Sequence, residues 1–210
     1  MKVTVIGAGN MGSAFVKQLV AAGHSVSVTA RNLDKARAVA AANPGAVAVP
    51  ADNAAANAEV VVLATAYGDA VGALRSVGVR SGQVVIDITN PLTADYMGLT
   101  IGHSTSAAEE IARAVPGVRV VKGFNTVFAP VLAEGADFGG GNKVTVFLAA
   151  DDAPAKATAK QLAESLGFAT IDAGGLKNAR YLEPLAGLNI YLGYGAGLGT
   201  GIAPTFIRKA

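Results

Sequence analysis

The chain has 210 residues, of which 51% are hydrophobic and 15% are charged, so it encodes a well-buried globular protein rather than a disordered one. Its formal net charge is +2 without a long basic run, which gives no indication of nucleic-acid binding but is compatible with a pocket for an anionic small molecule. There is no cysteine and there are only two histidines, His24 and His103, which excludes disulfides, thiol catalysis and a histidine-rich metal site.

Eight short, mostly β-branched apolar runs recur along the chain, and such runs are typical of strands buried on both faces of a sheet. The predicted strands are Val3–Ile6, Ser25–Thr29, Val47–Val49, Val60–Thr65, Val84–Ile88, Arg119–Gly123, Val144–Ala149 and Ala169–Asp172. The helical patterns between them are Gly12–Ala22, Leu33–Asn43, Asp69–Arg75, Ser106–Val115 and Ala153–Leu166. This alternation predicts an α/β fold built on a doubly wound parallel sheet with right-handed crossovers.

The later part of the chain departs from this rhythm. The stretch Leu132–Asn142, which contains three consecutive glycines, predicts a surface loop. After residue 175 the alternation of strand and helix ends. We therefore expect a nucleotide-binding domain over residues 1–175 and a small helical cap over residues 176–210 that serves the substrate or oligomerisation.

The C-terminal segment from Leu185 to Ile207 has no charged side chain and is long enough to span a bilayer, but its six glycines favour a buried or interfacial position. Within it, Gly193, Gly197 and Gly201 recur every four residues. On a helix they would form a smooth face for a partner subunit or a planar cofactor. Because glycine disfavours helices, an irregular glycine-rich loop is the alternative. We expect a homodimer without membrane association.

The N-terminus enters a strand within two residues, which leaves no room for a signal peptide. Together with the lack of cysteine, this feature predicts a cytoplasmic protein. The first strand is followed by Gly7-Ala8-Gly9-Asn10-Met11-Gly12, a G-x-G-x-x-G pattern that also opens the first helix. In this position the pattern indicates a dinucleotide-binding (Rossmann) fold.

Each residue of the glycine pattern has a physical role. Gly7 would make the tight turn out of the strand, Gly9 would let the backbone approach a pyrophosphate, and Gly12 would let the helix pack closely on the strand. The backbone N–H groups of Asn10 and Met11, at the positive end of the helix, would face the phosphates. The alternative is a glycine turn that binds no ligand.

The end of the second strand distinguishes NADP from NAD. An NAD site places a carboxylate there to bind the ribose 2′-hydroxyl, but this strand ends at Thr29 and Ala30-Arg31 follows, with Asp34 a turn into the next helix. Arg31 can bind a 2′-phosphate, and Lys35 adds a second charge on the same helix face. With the Thr29 hydroxyl, these residues predict NADP. The alternative is that both cations are simply solvated.

Three further strand ends carry polar or aromatic residues, and ligands of doubly wound sheets lie beyond such ends. The residues are Thr65, Ala66 and Tyr67 after one strand, Asn90 after the next, and Asn125 after the third. We expect them to line the nicotinamide ribose and ring, where the two asparagines would offer uncharged donors and acceptors. As turn residues, the asparagines could instead bond their own backbone.

The predicted site is poor in acid–base groups: no Ser-His-Asp set, no Lys–Tyr pair of the short-chain reductase kind and no paired carboxylates stand at these strand ends. His103 is a candidate proton donor to the substrate, although Ser106 and Glu109 beside it have the spacing of a helix capping box. His24 is expected in a surface loop. Hydride transfer between two rings depends on proximity and stacking more than on acids and bases.

Five stretches carry a family resemblance: MKVTVIGAGNMGSAF, VTARNLDKA, VIDITNPL, VVKGFNTV and FATIDAGGLKNARYLEPL. Together they resemble the NADPH-dependent F420 reductases (F420H2:NADP oxidoreductases) and the related N-terminal domain of the STEAP metalloreductases. The resemblance implies NADP held by Gly9, Asn10 and Met11, with Arg31 and Lys35 on the 2′-phosphate.

The same resemblance implies a deazaflavin (F420) or flavin ring stacked on the nicotinamide, near Asn125 and the C-terminal glycines. Ala30 stands where the family often has serine or threonine, which would remove one phosphate hydrogen bond. The leading hypothesis is hydride transfer between NADP(H) and a deazaflavin or flavin-like small molecule. The alternatives are a reductase of a small imine or carbonyl, similar to pyrroline-5-carboxylate reductase, and an NADP-binding sensor without turnover.

Overall fold

The computed structural model describes residues 1–206 and 209. Six parallel strands form its main sheet, in the order β3-β2-β1-β4-β5-β6. They are β1 Lys2–Ile6, β2 Ser25–Thr29, β3 Ala46–Ala48, β4 Val60–Leu63, β5 Val84–Asp87 and β6 Arg119–Lys122. This order is that of a doubly wound dinucleotide-binding sheet, which confirms the predicted fold class.

Seven α-helices are found in the described part of the chain, and they cover both faces of the sheet. They are α1 Asn10–Ala21, α2 Leu33–Ala42, α3 Ala70–Ser76, α4 Ala107–Ala114, α5 Ala129–Glu134, α6 Ala153–Ser165 and α7 Ala179–Ile190. A single π-helical turn over Tyr191–Gly195 extends α7. Across residues 1–206, no helix is long and apolar enough to cross a membrane.

Alternate residues of the central strands pack against separate helical layers. Val62 of β4 belongs to the core that contains Phe15 of α1. Its neighbour Val61 belongs to the opposite core, with Leu74 of α3 and Ile111 of α4. Because both faces of the strands are covered, the continuous apolar runs in the sequence follow directly from burial on two sides.

Two strands predicted for the parallel sheet lie outside it. Strands β7 Thr145–Leu148 and β8 Ala169–Asp172 pair with each other in a separate two-stranded parallel sheet. A single antiparallel bridge, between Lys122 and Ala149, joins this pair to β6. The reversal of direction follows from the connection after β6, where α5 packs on α1 instead of crossing the sheet.

The prediction of a surface loop over Leu132–Asn142 is wrong for its first three residues, which are helical. Residues 132–134 complete α5, and the side chain of Leu132 is fully buried. A six-residue helix carries too little periodicity to be distinguished from a loop in the sequence. The glycines at 139–141 are exposed and have positive φ angles, as expected for a loop.

The smooth helix face predicted from Gly193, Gly197 and Gly201 does not form. Gly193 lies in the π-helical turn, where an added Cβ would press on the ring of Phe128, and Gly197 has a φ of 76° that ends the helical path. The alternative, a glycine-rich loop, is therefore the correct interpretation of the residues after 195. Residues 207, 208 and 210, the end of the proposed cap and of the apolar segment to Ile207, lie outside the described residues.

Candidate active site

Two cavities open at the carboxyl ends of the strands, one on each side of the glycine loop between β1 and α1. The first has a volume of about 770 Å³ and is lined by Gly7 and Gly9 and by residues after β2 and β4. The second has a volume of about 630 Å³ and is lined by Asn10 and Met11 and by residues after β5 and β6 and from α7. The two cavities therefore adjoin at the N-terminus of α1.

The glycine loop has the geometry predicted from its pattern. Gly7 has a φ of 117°, and a Cβ on it would collide with the carbonyl of Ala64, while a Cβ on Gly12 would collide with the carbonyl of Gly7. At Gly9, by contrast, no atom of the described residues outside its immediate chain neighbours lies within 4 Å of where a Cβ would be. Two of the glycines are thus required by packing, and the third leaves open space beside the backbone.

The N-terminus of α1 is equipped to bind an anion. Gly9 is its N-cap, and no side chain within residues 1–206 makes a capping hydrogen bond there. The first turn of α1 contains no acidic residue. The first N–H groups of a helix have no intrahelical acceptor, and the helix dipole favours negative charge there. The open space at Gly9 and these free donors together form a cradle suited to an anion such as a phosphate.

The end of β2 presents cations to the first cavity. Thr29, Arg31 and Lys35 all line it, and the hydroxyl of Thr29 is buried without a hydrogen-bond partner among the described residues. Asn32 caps α2 through its Oδ1, which accepts the N–H of Asp34 at 2.9 Å. Asp34 itself pairs with Arg37 at 2.8 Å and is absent from the described lining, so it does not act as the acid of an NAD site.

Asp69, which is not among the site residues predicted from the sequence, lines the first cavity beside Arg31. Asp69 ends a 3₁₀ turn after β4, and its two carboxylate oxygens accept from Arg31 Nη2 at 3.1 Å and Nη1 at 3.3 Å. The side chains are 87% and 43% exposed, so this ion pair is surrounded by water and contributes little stability. Arg31, one of the two cations predicted at the end of this strand, is therefore paired with a carboxylate in the cavity.

Asn90 and Asn125 bond each other at the wall of the second cavity. Asn125 Nδ2 donates to Asn90 Oδ1 at 3.0 Å, and Asn90 Nδ2 donates to the carbonyl of Asn125 at 2.9 Å. Asn125 Nδ2 also donates to the carbonyl of Leu182 in α7 at 2.9 Å, while its Oδ1 is buried without a partner in the described part of the chain. The asparagines are thus fixed by the tertiary fold and do not serve as local turn residues.

Other predicted site residues divide between the cavities and the rest of the fold. Thr65 and Ala66 line the first cavity. Tyr67, in the 3₁₀ turn before α3, is partly buried against the core and lies outside the described lining of either cavity. His103 lies in an exposed turn at a φ of 58°, also away from both linings, so the structure does not bring this candidate proton donor to the site. Ser106 caps α4 as its spacing predicts, accepting the N–H of Glu109 at 3.2 Å.

Burial raises the pKa of the Tyr67 phenol above its ordinary value, with the carboxylates of Glu110, Glu183 and Asp87 adding to the effect. The ring therefore stays protonated at neutral pH. His24, the other histidine, is part-buried and bonds the N-terminal amine at 3.1 Å and Ser165 at 2.8 Å. Burial, followed by the positive N-terminus, lowers the pKa of His24, so it is mostly neutral at pH 7.

Three buried charges beneath the second cavity have no counterpart among the residues selected from the sequence. They are Asp87 at the end of β5, Lys122 at the end of β6 and Glu183 in α7. A signal was present, because an aspartate and a lysine each interrupt an otherwise apolar buried strand, and a buried charge needs a partner. The sequence could not show which partner each would find.

Comparisons with known proteins agree with this geometry. A family model described as "NADP oxidoreductase coenzyme F420-dependent" matches residues 2–91. The F420-dependent NADP reductase of Methanothermobacter marburgensis is 32% identical over 211 residues, which cover 91% of this chain and 92% of that protein. The chain belongs to the F420-dependent NADP reductase family. It is accordingly an NADP-dependent oxidoreductase, as the sequence predicted.

Two further relatives differ in how much of their length is similar to this chain. A crystal structure from Arthrobacter sp. FB24 superposes with a TM-score of 0.88 at 29% identity, covering 99% of this chain and all of that one. Metalloreductase STEAP3 of Rattus norvegicus is 29% identical over 185 residues, which are 88% of this chain but 36% of STEAP3. The likeness to the F420-dependent NADP reductase family thus spans whole chains, whereas that to STEAP3 covers about a third of the larger protein.

Proposed function

We propose that this member of the family transfers hydride between NADP(H) and a deazaflavin (F420) or flavin-like acceptor. The observation that carries the proposal is the pair of adjoining cavities that meet at the N-terminus of α1. The first is bordered by cations and backbone donors, and the second by apolar, aromatic and amide groups. A dinucleotide across this junction would place its reactive ring in the second cavity, beside room for another ring.

The first cavity would hold the adenosine half of NADP. Backbone N–H groups of Asn10 and Met11 would bind the pyrophosphate next to the open side of Gly9. Arg31 and Lys35 would bind the 2′-phosphate as charge-assisted donors. The unpaired hydroxyl of Thr29, together with Thr65 and Ala66 across the cavity, would contact the adenine ribose side.

The second cavity would hold the nicotinamide and the acceptor. The buried Oδ1 of Asn125 lacks a partner within residues 1–206, so a donor from the cofactor would satisfy it. Asp95 is the only carboxylate or cation among the described residues of this lining. When bound, NADP(H) supplies the hydride. The chain's own residues bind and orient two rings and exclude water, and the proton that balances the reduced acceptor comes from solvent.

The cap over residues 176–210 also remains our proposal, supported by the α7 residues Ala186, Asn189 and Ile190 in the lining of the second cavity. A homodimer and a cytoplasmic location stay predictions from the sequence. Light scattering on the purified protein after size exclusion would determine whether it is a dimer.

Absorbance at 340 nm tests the proposed reaction. The protein is incubated with NADPH and, separately, with F420, FMN, FAD, a ferric chelate and a cyclic imine, each with a protein-free control. We expect NADPH oxidation with F420 or a free flavin. Oxidation with the imine alone would replace the proposal by an imine reductase, and tight NADPH binding without oxidation by any acceptor would replace it by a sensor.

A further inference from the structure

The buried charges Lys122, Asp87 and Glu183 form one cluster directly beneath the second cavity. Lys122 Nζ donates to Asp87 Oδ2 at 2.9 Å, to Glu183 Oε1 at 2.8 Å and to the carbonyl of Thr89. The three side chains are 0%, 0% and 1% exposed. All three donor positions of the ammonium group are therefore used. They connect the C-terminal ends of β5 and β6 to the first half of α7.

The cluster's charge is balanced by a helix terminus. One cation faces two carboxylates, and the carboxylate of Glu183 also accepts the backbone N–H groups of Ala107 at 2.9 Å and Ala108 at 3.2 Å, in the first turn of α4. The positive end of the helix dipole compensates the extra negative charge. The cluster is thus fully hydrogen-bonded, although a buried ion pair is no more stabilising than a well-packed apolar group.

Hydrogen bonds connect this cluster, through Thr89, to Asn90 and Asn125 in the wall of the second cavity. Thr89 is held from both sides, because its N–H donates to Asp87 Oδ1 at 2.9 Å and its carbonyl accepts from Lys122. The next residue is Asn90, which shares two hydrogen bonds with Asn125. The third bond of Asn125 goes to the carbonyl of Leu182, the residue before Glu183. Both partners of Asn125 are therefore next to the cluster in the chain: Asn90 follows Thr89, which the cluster binds, and Leu182 precedes Glu183, which belongs to the cluster.

The turn that carries Asn125 also requires support from outside. Phe124, between Lys122 and Asn125, has a φ of 60°, which is a strained backbone conformation for a phenylalanine. Its ring is fully buried and packs edge-on against Phe15 and Phe168 at centroid distances of 5.0 and 5.6 Å. The turn is thus held by apolar packing on one side of the strand end and by the Lys122 ion cluster on the other.

We infer that Lys122, together with Asp87 and Glu183, is a positioning group of the reaction: it fixes Asn90 and Asn125 and thereby the nicotinamide end of the cofactor. The inference rests on the proposed function, because it takes the second cavity to hold the nicotinamide. None of the three side chains belongs to the described lining of either cavity, so the cluster acts through the asparagines. The adenosine half, bound across the glycine loop, is independent of it.

The test separates the two halves of the cofactor. Three variants are prepared: Glu183→Gln, Lys122→Met, and the neutral triple variant Lys122→Met/Asp87→Asn/Glu183→Gln, which leaves no unpaired buried charge if the single lysine variant does not fold. For each, calorimetry gives the Kd of NADPH and of adenosine 2′,5′-bisphosphate, which lacks the nicotinamide. Turnover with the acceptor preferred by the wild-type protein gives kcat and the isotope effect of 4-deuterated NADPH.

We expect kcat to fall roughly 10- to 100-fold in the variants, the cost of misplacing a reacting ring by an ångström or less. The isotope effect should rise as hydride transfer limits the rate, and the affinity advantage of NADPH over the bisphosphate should shrink. The bisphosphate Kd should stay within about twofold of wild type, since phosphate contacts in the first cavity are unchanged.

Lys156→Met/Asp172→Asn is the matched control, because it removes a mostly buried lysine whose ion pair, at 2.7 Å, lies away from both cavities. It should leave all four quantities unchanged. A purely structural cluster would overturn the inference: folded variants would keep the wild-type isotope effect and the full NADPH advantage, or would lose bisphosphate affinity in parallel with kcat. Failure of the proposed function is a different result, in which the wild-type protein binds no NADPH or does not oxidise it with F420 or a flavin.

Discussion

The two cavities hold their charges in opposite ways. In the first, Arg31 and Lys35 stand on exposed loop and helix ends, and Arg31 pairs with Asp69 in water. In the second, the Lys122 cluster lies fully buried behind the wall, and Asp95 is the only charged residue among the described residues that line the cavity. Exposed cations suit a phosphate that must be recognised and released. Buried charges suit a ring whose position must not vary.

The glycine loop lies between the two cavities, and a change there should have the largest effect. Gly9→Val places a side chain in the open space beside the cradle, so it should block the approach of the pyrophosphate. Loss of two charge-assisted bonds at roughly 1.5 kcal/mol or more each predicts a binding loss of at least about 3 kcal/mol. Calorimetry should show this loss for NADPH and NADH alike, with an unchanged melting temperature.

Gly102→Val is the matched control for that substitution. Gly102 also has open space at its Cβ position and lies outside the described linings of both cavities. Its valine variant should bind NADPH as the wild-type protein does. If Gly9→Val retained wild-type affinity for NADPH, the loop would be a purely structural turn. The proposal that the pyrophosphate binds at the junction of the two cavities would then be wrong.

The second largest effect concerns the first cavity alone. Arg31→Ala removes the charge-assisted donor to the 2′-phosphate, so NADPH binding should weaken by roughly 1.5–3 kcal/mol while NADH binding changes little. The Kd values of the two cofactors, measured in the same buffer, check the difference. Arg37→Ala is the control, because Arg37 is also an exposed arginine but pairs with Asp34 on α2, outside the described cavity lining. An equal loss for both cofactors would show that Arg31 does not contact the 2′-phosphate.

The difference between the cavities also explains what the sequence could predict. The glycine loop and Arg31 belong to short local patterns, in which the spacing along the chain determines the geometry. All eight predicted strands form. The central strands are buried on two faces, which requires continuous apolar residues, whereas β3 and β8 are only partly buried. A local pattern therefore identified the fold class and the residues that border the first cavity.

The second cavity depends on contacts between distant residues, which no local pattern encodes. Lys122 reaches Asp87, 35 positions earlier, and Glu183 reaches Ala107, 76 positions earlier. Asn90 and Asn125 were selected because they follow strands, but their mutual bonds depend on the neighbouring positions of β5 and β6 in the sheet. Tyr67 is predicted from the same position after a strand, and His103 as an acid near the start of α4. Neither belongs to the described lining of either cavity, since a residue near the end of an element need not face the cavity.

The smallest effect tests the tether on Arg31. Asp69→Asn removes the carboxylate that holds the guanidinium at 3.1 Å and that would repel a bound phosphate, so NADPH affinity should rise. Exposed ion pairs contribute about 0.2–1 kcal/mol, which predicts at most about a fivefold lower Kd at low salt and a smaller change at high salt. Asp34→Asn is the control, because it removes an exposed carboxylate outside the described lining. It should change the Kd of NADPH neither at low nor at high salt. A weaker NADPH affinity in Asp69→Asn would mean that this carboxylate orients Arg31 for the phosphate rather than competing with it.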